Sequence, residues 1–203
     1  MKVIKKVFIG LLAMIILFAI FITINIAYTK YVSYPKWVNE YVQNRYKEPM
    51  IIQKIYVSDM GYCAVVSPKT EPNLKFTVRG KYIDTYLERS LEYQVEQNLK
   101  SIYPKYDCVA QMFSYESIQT PFAELYKLYE EYERPPTWKE IPEYIRLERL
   151  RINTNQYVDN ESINAIIKKM CASEFRTSII EIYDGNILQT FQFEPDDNTF
   201  ILK

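Results

Sequence analysis

VFIGLLAMIILFAIFITINI, residues 7–26, runs for twenty residues without a charge. As a helix it extends about 30 Å, the thickness of a bilayer's hydrocarbon layer. Its clearly polar members, Thr23 and Asn25, sit near one end, and Lys2, Lys5 and Lys6 precede it. Lys30 is the one nearby positive charge on the far side. That asymmetry predicts a cytoplasmic N-terminus over residues 1–6, a single-pass anchor helix over residues 7–28 in the cell membrane, and residues 31–203 outside. A cleaved signal peptide has a shorter apolar core, about 7–15 residues, ending at a small-x-small site. Here the best such site, Asn25-Ile26-Ala27, has asparagine at its first position, and no cysteine lies nearby for lipid attachment. The run therefore reads as a retained signal-anchor. A buried helix of a soluble protein fits less well, because the run is apolar on every side.

Working outward, Tyr28, Tyr31, Tyr34 and Trp37 recur every three residues. Amphipathic rings at that point suit the headgroup level of a bilayer. Trp37 and Tyr41 also fit the core of a following helix, and both readings hold if they divide near Pro35.

The chain has 203 residues, enough for one domain with a sizeable core. Residues 1–30 hold four of its 25 basic residues and none of its 25 acidic ones, so the remainder is net −4. With no basic stripe, a nucleic-acid partner is not expected. The absence of histidine removes Ser-His-Asp and Cys-His nucleophile pairs and HExxH zinc sites. Four scattered glycines cannot build a phosphate-cradling loop. No cofactor and no metal site is expected, and no catalytic residue is assigned.

Residues 35–46 have helical spacing, with proline suited to the first turn. Residues 51–57, 62–67 and 74–79 read as strands, joined across a turn-rich loop at 68–73. Thr85 with Glu88 forms a capping-box pattern ahead of a stripe of Leu87, Leu91, Val95, Leu99 and Ile102. Residues 108–113 suggest a strand, and Thr120-Pro121 opens a helix to about Tyr132 with Phe122, Leu125, Tyr126 and Tyr129 inward. Residues 133–137 (ERPPT) are the best sub-boundary. Residues 144–152 (YIRLERLRI) fit either a strand or a helix. A helix over 160–172 precedes a hairpin, 178–183 and 187–193, around Asp184-Gly185-Asn186. The predicted fold class is α+β, an N-terminal transmembrane helix followed by an outer domain of antiparallel strands with helices on one face.

Residues 62–99 join YCAVVSPKTEPNLKFTVRG to YIDTYLERSLEYQVEQNL. This stretch resembles small membrane-anchored or lipoprotein-like extracytoplasmic proteins of low-GC Gram-positive bacteria, a group without an assigned activity. The resemblance covers about a fifth of the chain and implies location rather than chemistry. The missing lipobox cysteine departs from the lipoprotein members.

Cys63 and Cys108 lie on two predicted strands and are the candidate disulfide; the alternative is that all three cysteines are buried small apolar residues, which Cys171 fits best. The pairs Glu130/Glu131, Glu140/Glu143 and Asp196/Asp197 lie in charged stretches and read as solvated faces. Tyr126, Tyr129, Tyr132 and Trp138 are the candidate partner-binding residues, with helix core as the alternative. The expected function is that of a membrane-anchored accessory protein, envelope-associated or immunity-type, which binds a protein or peptide and catalyses nothing. A carboxylate-dependent cell-wall hydrolase and a structural subunit of a membrane complex are the alternatives.

Overall fold

A computed structural model describes residues 2–59, 61–80, 83–112, 119–142, 144–154, 156–172, 175–194 and 199–203; the side chains of 2–8, 83, 119–122 and 171 are outside that description. The expectations placed on Glu143, Asp196 and Asp197, and on the side chains of Phe122 and Cys171, lie outside the described residues. The fold is α+β, and the chain divides into two compact units, Met1–Asp84 and Thr85–Lys203. The division does not fall at residues 133–137. That segment instead closes on itself inside the second unit, where Arg134 and the Thr137 N–H both bind the Glu140 carboxylate.

The first unit begins with α1 (Lys2–Tyr28), a π-helical stretch (Thr29–Ser33) and α2 (Tyr34–Arg45). From Ile9 to Arg45 the helix is continuous, 37 residues, and its apolar window has no buried residue. It is long and apolar enough to cross a membrane. As its position suggested, Pro35 lies in the first turn of α2, just after the π-helical stretch, and the helix continues through it. Proline has no N–H to give the ladder, and the wider turn takes up that loss without ending the helix.

Four antiparallel strands follow in spatial order β1 (Met50–Ser58), β2 (Gly61–Pro68), β3 (Phe76–Arg79) and β4 (Ile83–Asp84). Gly61, at φ +95°, supplies the left-handed backbone where β2 starts opposite Ser58. The register shifts between Ile52 and Lys54. Gln53, at that shift, donates to the Ser67 hydroxyl at 2.7 Å. Val38 and Val42, one turn apart on α2, are fully buried, as are Ala64, Val66 and Val78 of the sheet.

In the second unit α3 (Tyr86–Ile102) presents the expected stripe: Leu87, Leu91, Val95 and Leu99 are buried. The Thr85 side chain itself makes no capping hydrogen bond to the helix. β5 (Asp107–Gln111), α4 (Gln119–Tyr132), β6 (Leu147–Asn153), α5 (Asn160–Cys171), β7 (Thr177–Tyr183), β8 (Leu188–Glu194) and β9 (Thr199–Leu202) follow. The five strands are ordered β5-β6-β7-β8-β9. The ambiguous stretch at 144–152 supplies a strand. The sheet is not wholly antiparallel as expected, because β6 and β7 run parallel. Parallel neighbours need a long crossover, and α5 is that crossover. Asp159 caps α5 by accepting the Ser162 N–H at 2.7 Å. Asp159→Ala is expected to speed hydrogen exchange at Ser162 and to cost the second unit about 1 kcal/mol; unchanged exchange and stability would show that the cap contributes nothing.

Paired residues on neighbouring strands point to one face. Ala110, Leu150, Ile180 and Phe191 make one cross-strand row, all buried, and with Ile152 and Ile182 form the core face of this sheet.

Candidate functional site

The residues nominated as a membrane-interface belt divide in two. Tyr28 and Tyr31 are exposed, at 59% and 70%. Tyr34 and Trp37 pack into the first unit. Their rings stack at 5.7 Å, Trp37 stacks on Tyr41 at 5.3 Å, and Tyr62 of β2 lies 5.5 Å from Tyr34. Positions 34, 37 and 41 meet because helix residues three and four apart are neighbours. The stripe ends in a buried polar cluster. The Tyr41 and Tyr46 hydroxyls each donate to Asp84 at 2.6 Å, and Arg45 Nε lies 3.4 Å from the same carboxylate. Asp84 is 2% exposed. Burial pushes its carboxyl above the usual aspartate range, and the two tyrosines and Arg45 only partly offset that. The arrangement fastens α2, which continues the apolar helix, to the far strand of the first sheet.

The candidate partner-binding residues do not assemble into a surface. Trp138 is fully buried, donates from its indole to the Leu91 carbonyl at 3.0 Å, and meets Phe175 edge-on. Tyr129 is buried and edge-on to Tyr86, and Tyr126 is half-buried. Tyr132 is exposed, with Arg134 over its ring. The reason is local: Glu133 takes φ +56°, ends α4, and the loop turns Trp138 inward. An indole buried with its N–H satisfied is core.

The candidate disulfide residues Cys63 and Cys108 are each a free thiol, on β2 of the first unit and β5 of the second. Burial, with Glu96 and Asp107 adding to it, pushes the Cys108 thiol up to about 12, so it is held as the poorly nucleophilic thiol. Among the described residues no group of three or more acidic or cysteine side chains is placed to hold a metal. Glu130 and Glu131 are exposed, and Glu140 is tied to Arg134 and Thr137.

A different constellation emerges on the second sheet, opposite its core face. Val109, Arg151, Glu181 and Thr190 form one row, and Gln111, Arg149, Ile179, Gln192 and Ile201 the next. Arg149 Nη1 lies 3.0 Å from Glu181 Oε1, and Arg151 places Nη2 and Nε at 2.7 and 2.8 Å from Oε2. The Glu181 side chain is 6% exposed, the arginines 39% and 46%. One shielded carboxylate thus orients two guanidiniums on an open sheet face. The signal lay in RLERLRI: only as a strand, with period two, do Arg149 and Arg151 share a face.

The fold and its polar groups thus define an α+β protein whose N-terminal helix is long and apolar enough to cross a membrane. No family model matches the chain, and no curated protein or solved structure matches it.

Proposed function

We propose that this is a single-pass membrane protein with a short cytoplasmic N-terminus and an extracytoplasmic accessory part that holds a protein or peptide partner rather than catalysing a reaction. The reading is carried by α1, apolar all round and without a buried residue in its apolar window. Such a surface is costly in water and satisfied in lipid. Lys2, Lys5 and Lys6, ahead of the apolar run, support the cytoplasmic placement of the N-terminus. The latch at Asp84 supports the reading, because it fixes a folded unit directly to the helix that would leave the bilayer. An envelope-associated or immunity-type role fits such a tethered binder.

The full chain is expected to stay in the membrane pellet through alkaline carbonate extraction. The triple change Ile16→Arg, Leu17→Arg and Phe18→Arg, at the middle of the helix, adds about 2.5–3.5 kcal/mol to insertion per arginine and is expected to shift the chain out of the membrane pellet. Recovery of the unaltered chain in the soluble fraction would remove the membrane reading.

A further inference from the structure

We infer that the open face of the second sheet is a binding site for a carboxylate carried on an otherwise apolar protein segment, with Arg149 and Arg151 as its anion clamp. The inference rests on the reading of the outer part as a binder and names the chemistry of what it binds. Two guanidiniums meet one carboxylate, so the cluster keeps an excess of one positive charge. Glu181 engages three of their nitrogens, and each guanidinium carries five N–H donors in a planar fork. The rest of each fork is exposed on the side away from the core. Because Glu181 holds both arginines in place, a second carboxylate arriving from solvent finds donors already oriented, and Arg–carboxylate pairs are favoured in bidentate geometry.

The surroundings choose the occupant. Val109 is 53% exposed, Tyr183 40%, Leu188 48% and Ile201 40%. Tyr183 and Leu188 share the row beyond Glu181, while Val109 and Ile201 lie on the first and last strands. A partner that places apolar groups over Val109, Tyr183, Leu188 and Ile201 and one carboxylate at the arginines would match this face in both polarity and charge. Five strands span about 19 Å, room for an extended segment or one helix laid across them. A polyanion or an anionic lipid surface would need a broad basic field. Here Asp107 is on the same face, and residues 31–203 are net −4.

The test is selection of a random heptapeptide display library on the full chain in nanodiscs of neutral lipid, after subtraction on empty discs. The selected peptides are expected to carry one Asp or Glu beside apolar residues. Their affinity is expected to fall at least tenfold when that acid becomes its amide, and at least tenfold on the variant R149Q/R151Q/E181Q. That variant removes all three charges together, so no buried charge is stranded, and its thermal unfolding is expected to match the parent's. Peptides that bind equally as amides, or that ignore the triple substitution, overturn the clamp while leaving the binding reading in place. An Arg149- and Arg151-dependent preference for phosphatidylglycerol vesicles over the peptides overturns it in favour of a lipid surface. Failure to select any peptide overturns the clamp, whereas the membrane reading stands or falls separately on carbonate extraction.

Discussion

Trp138→Ala is expected to destabilise the second unit by about 3–5 kcal/mol, the range for deleting a large aromatic from a packed core. The side chain is fully buried, its indole N–H is satisfied by the Leu91 carbonyl, and its ring packs edge-on against Phe175. The substitution leaves a cavity and removes the indole hydrogen bond and an aromatic pair together. In urea unfolding of the full chain in detergent, followed by far-ultraviolet circular dichroism, the second unit's transition is expected to move to much lower urea. A loss under about 1 kcal/mol is what a surface residue would give, and would restore Trp138 as a partner-contact residue.

Asp84→Ala is the second large effect, about 2–3 kcal/mol, because it strips the acceptor from the buried Tyr46 hydroxyl and the half-buried Tyr41 hydroxyl and the counter-charge from Arg45. Its cost should fall on the first unit. The pH dependence has a definite sign. Burial raises the folded-state pKa of Asp84, so the folded unit holds this proton more tightly than the unfolded chain does. Its contribution is fully present below the unfolded value of about 3.9 and is lost as pH rises through the raised folded value. Asp84→Asn is expected to remove that slope. Stability of the first unit that instead climbs over the same range, in a way Asp84→Asn abolishes, would mean that the tyrosines and Arg45 outweigh desolvation.

Much of this architecture was legible from periodicity. The uncharged run, the stripe of α3, the amphipathic face of α5 and the Asp-Gly-Asn hairpin each carry their own local signal, and each forms its element. Tertiary choices carried less. The parallel pairing of β6 with β7 depends on α5 crossing over the sheet, which no local pattern in RLERLRI announces. Strand β9 is four residues long and paired on one side only, too short for a period. The ERPPT break looked like a boundary because proline and charge punctuate loops. It is an internal loop because Arg134 and Glu140 staple it and Trp138 fills the core behind it. The belt residues were half legible: spacing put Tyr34 and Trp37 on the right stripe but could not show that Tyr62, 28 residues on from Tyr34, would stack there.

The most direct test of the central claim is which side of the membrane each end occupies. In a background with Cys63, Cys108 and Cys171 replaced by alanine, single cysteines at Lys2 and at exposed Lys127 of α4 can be offered a membrane-impermeant maleimide on intact cells. The account predicts labelling of Lys127→Cys on intact cells and of Lys2→Cys only after permeabilisation. Labelling of Lys2→Cys on intact cells with Lys127→Cys protected would contradict it.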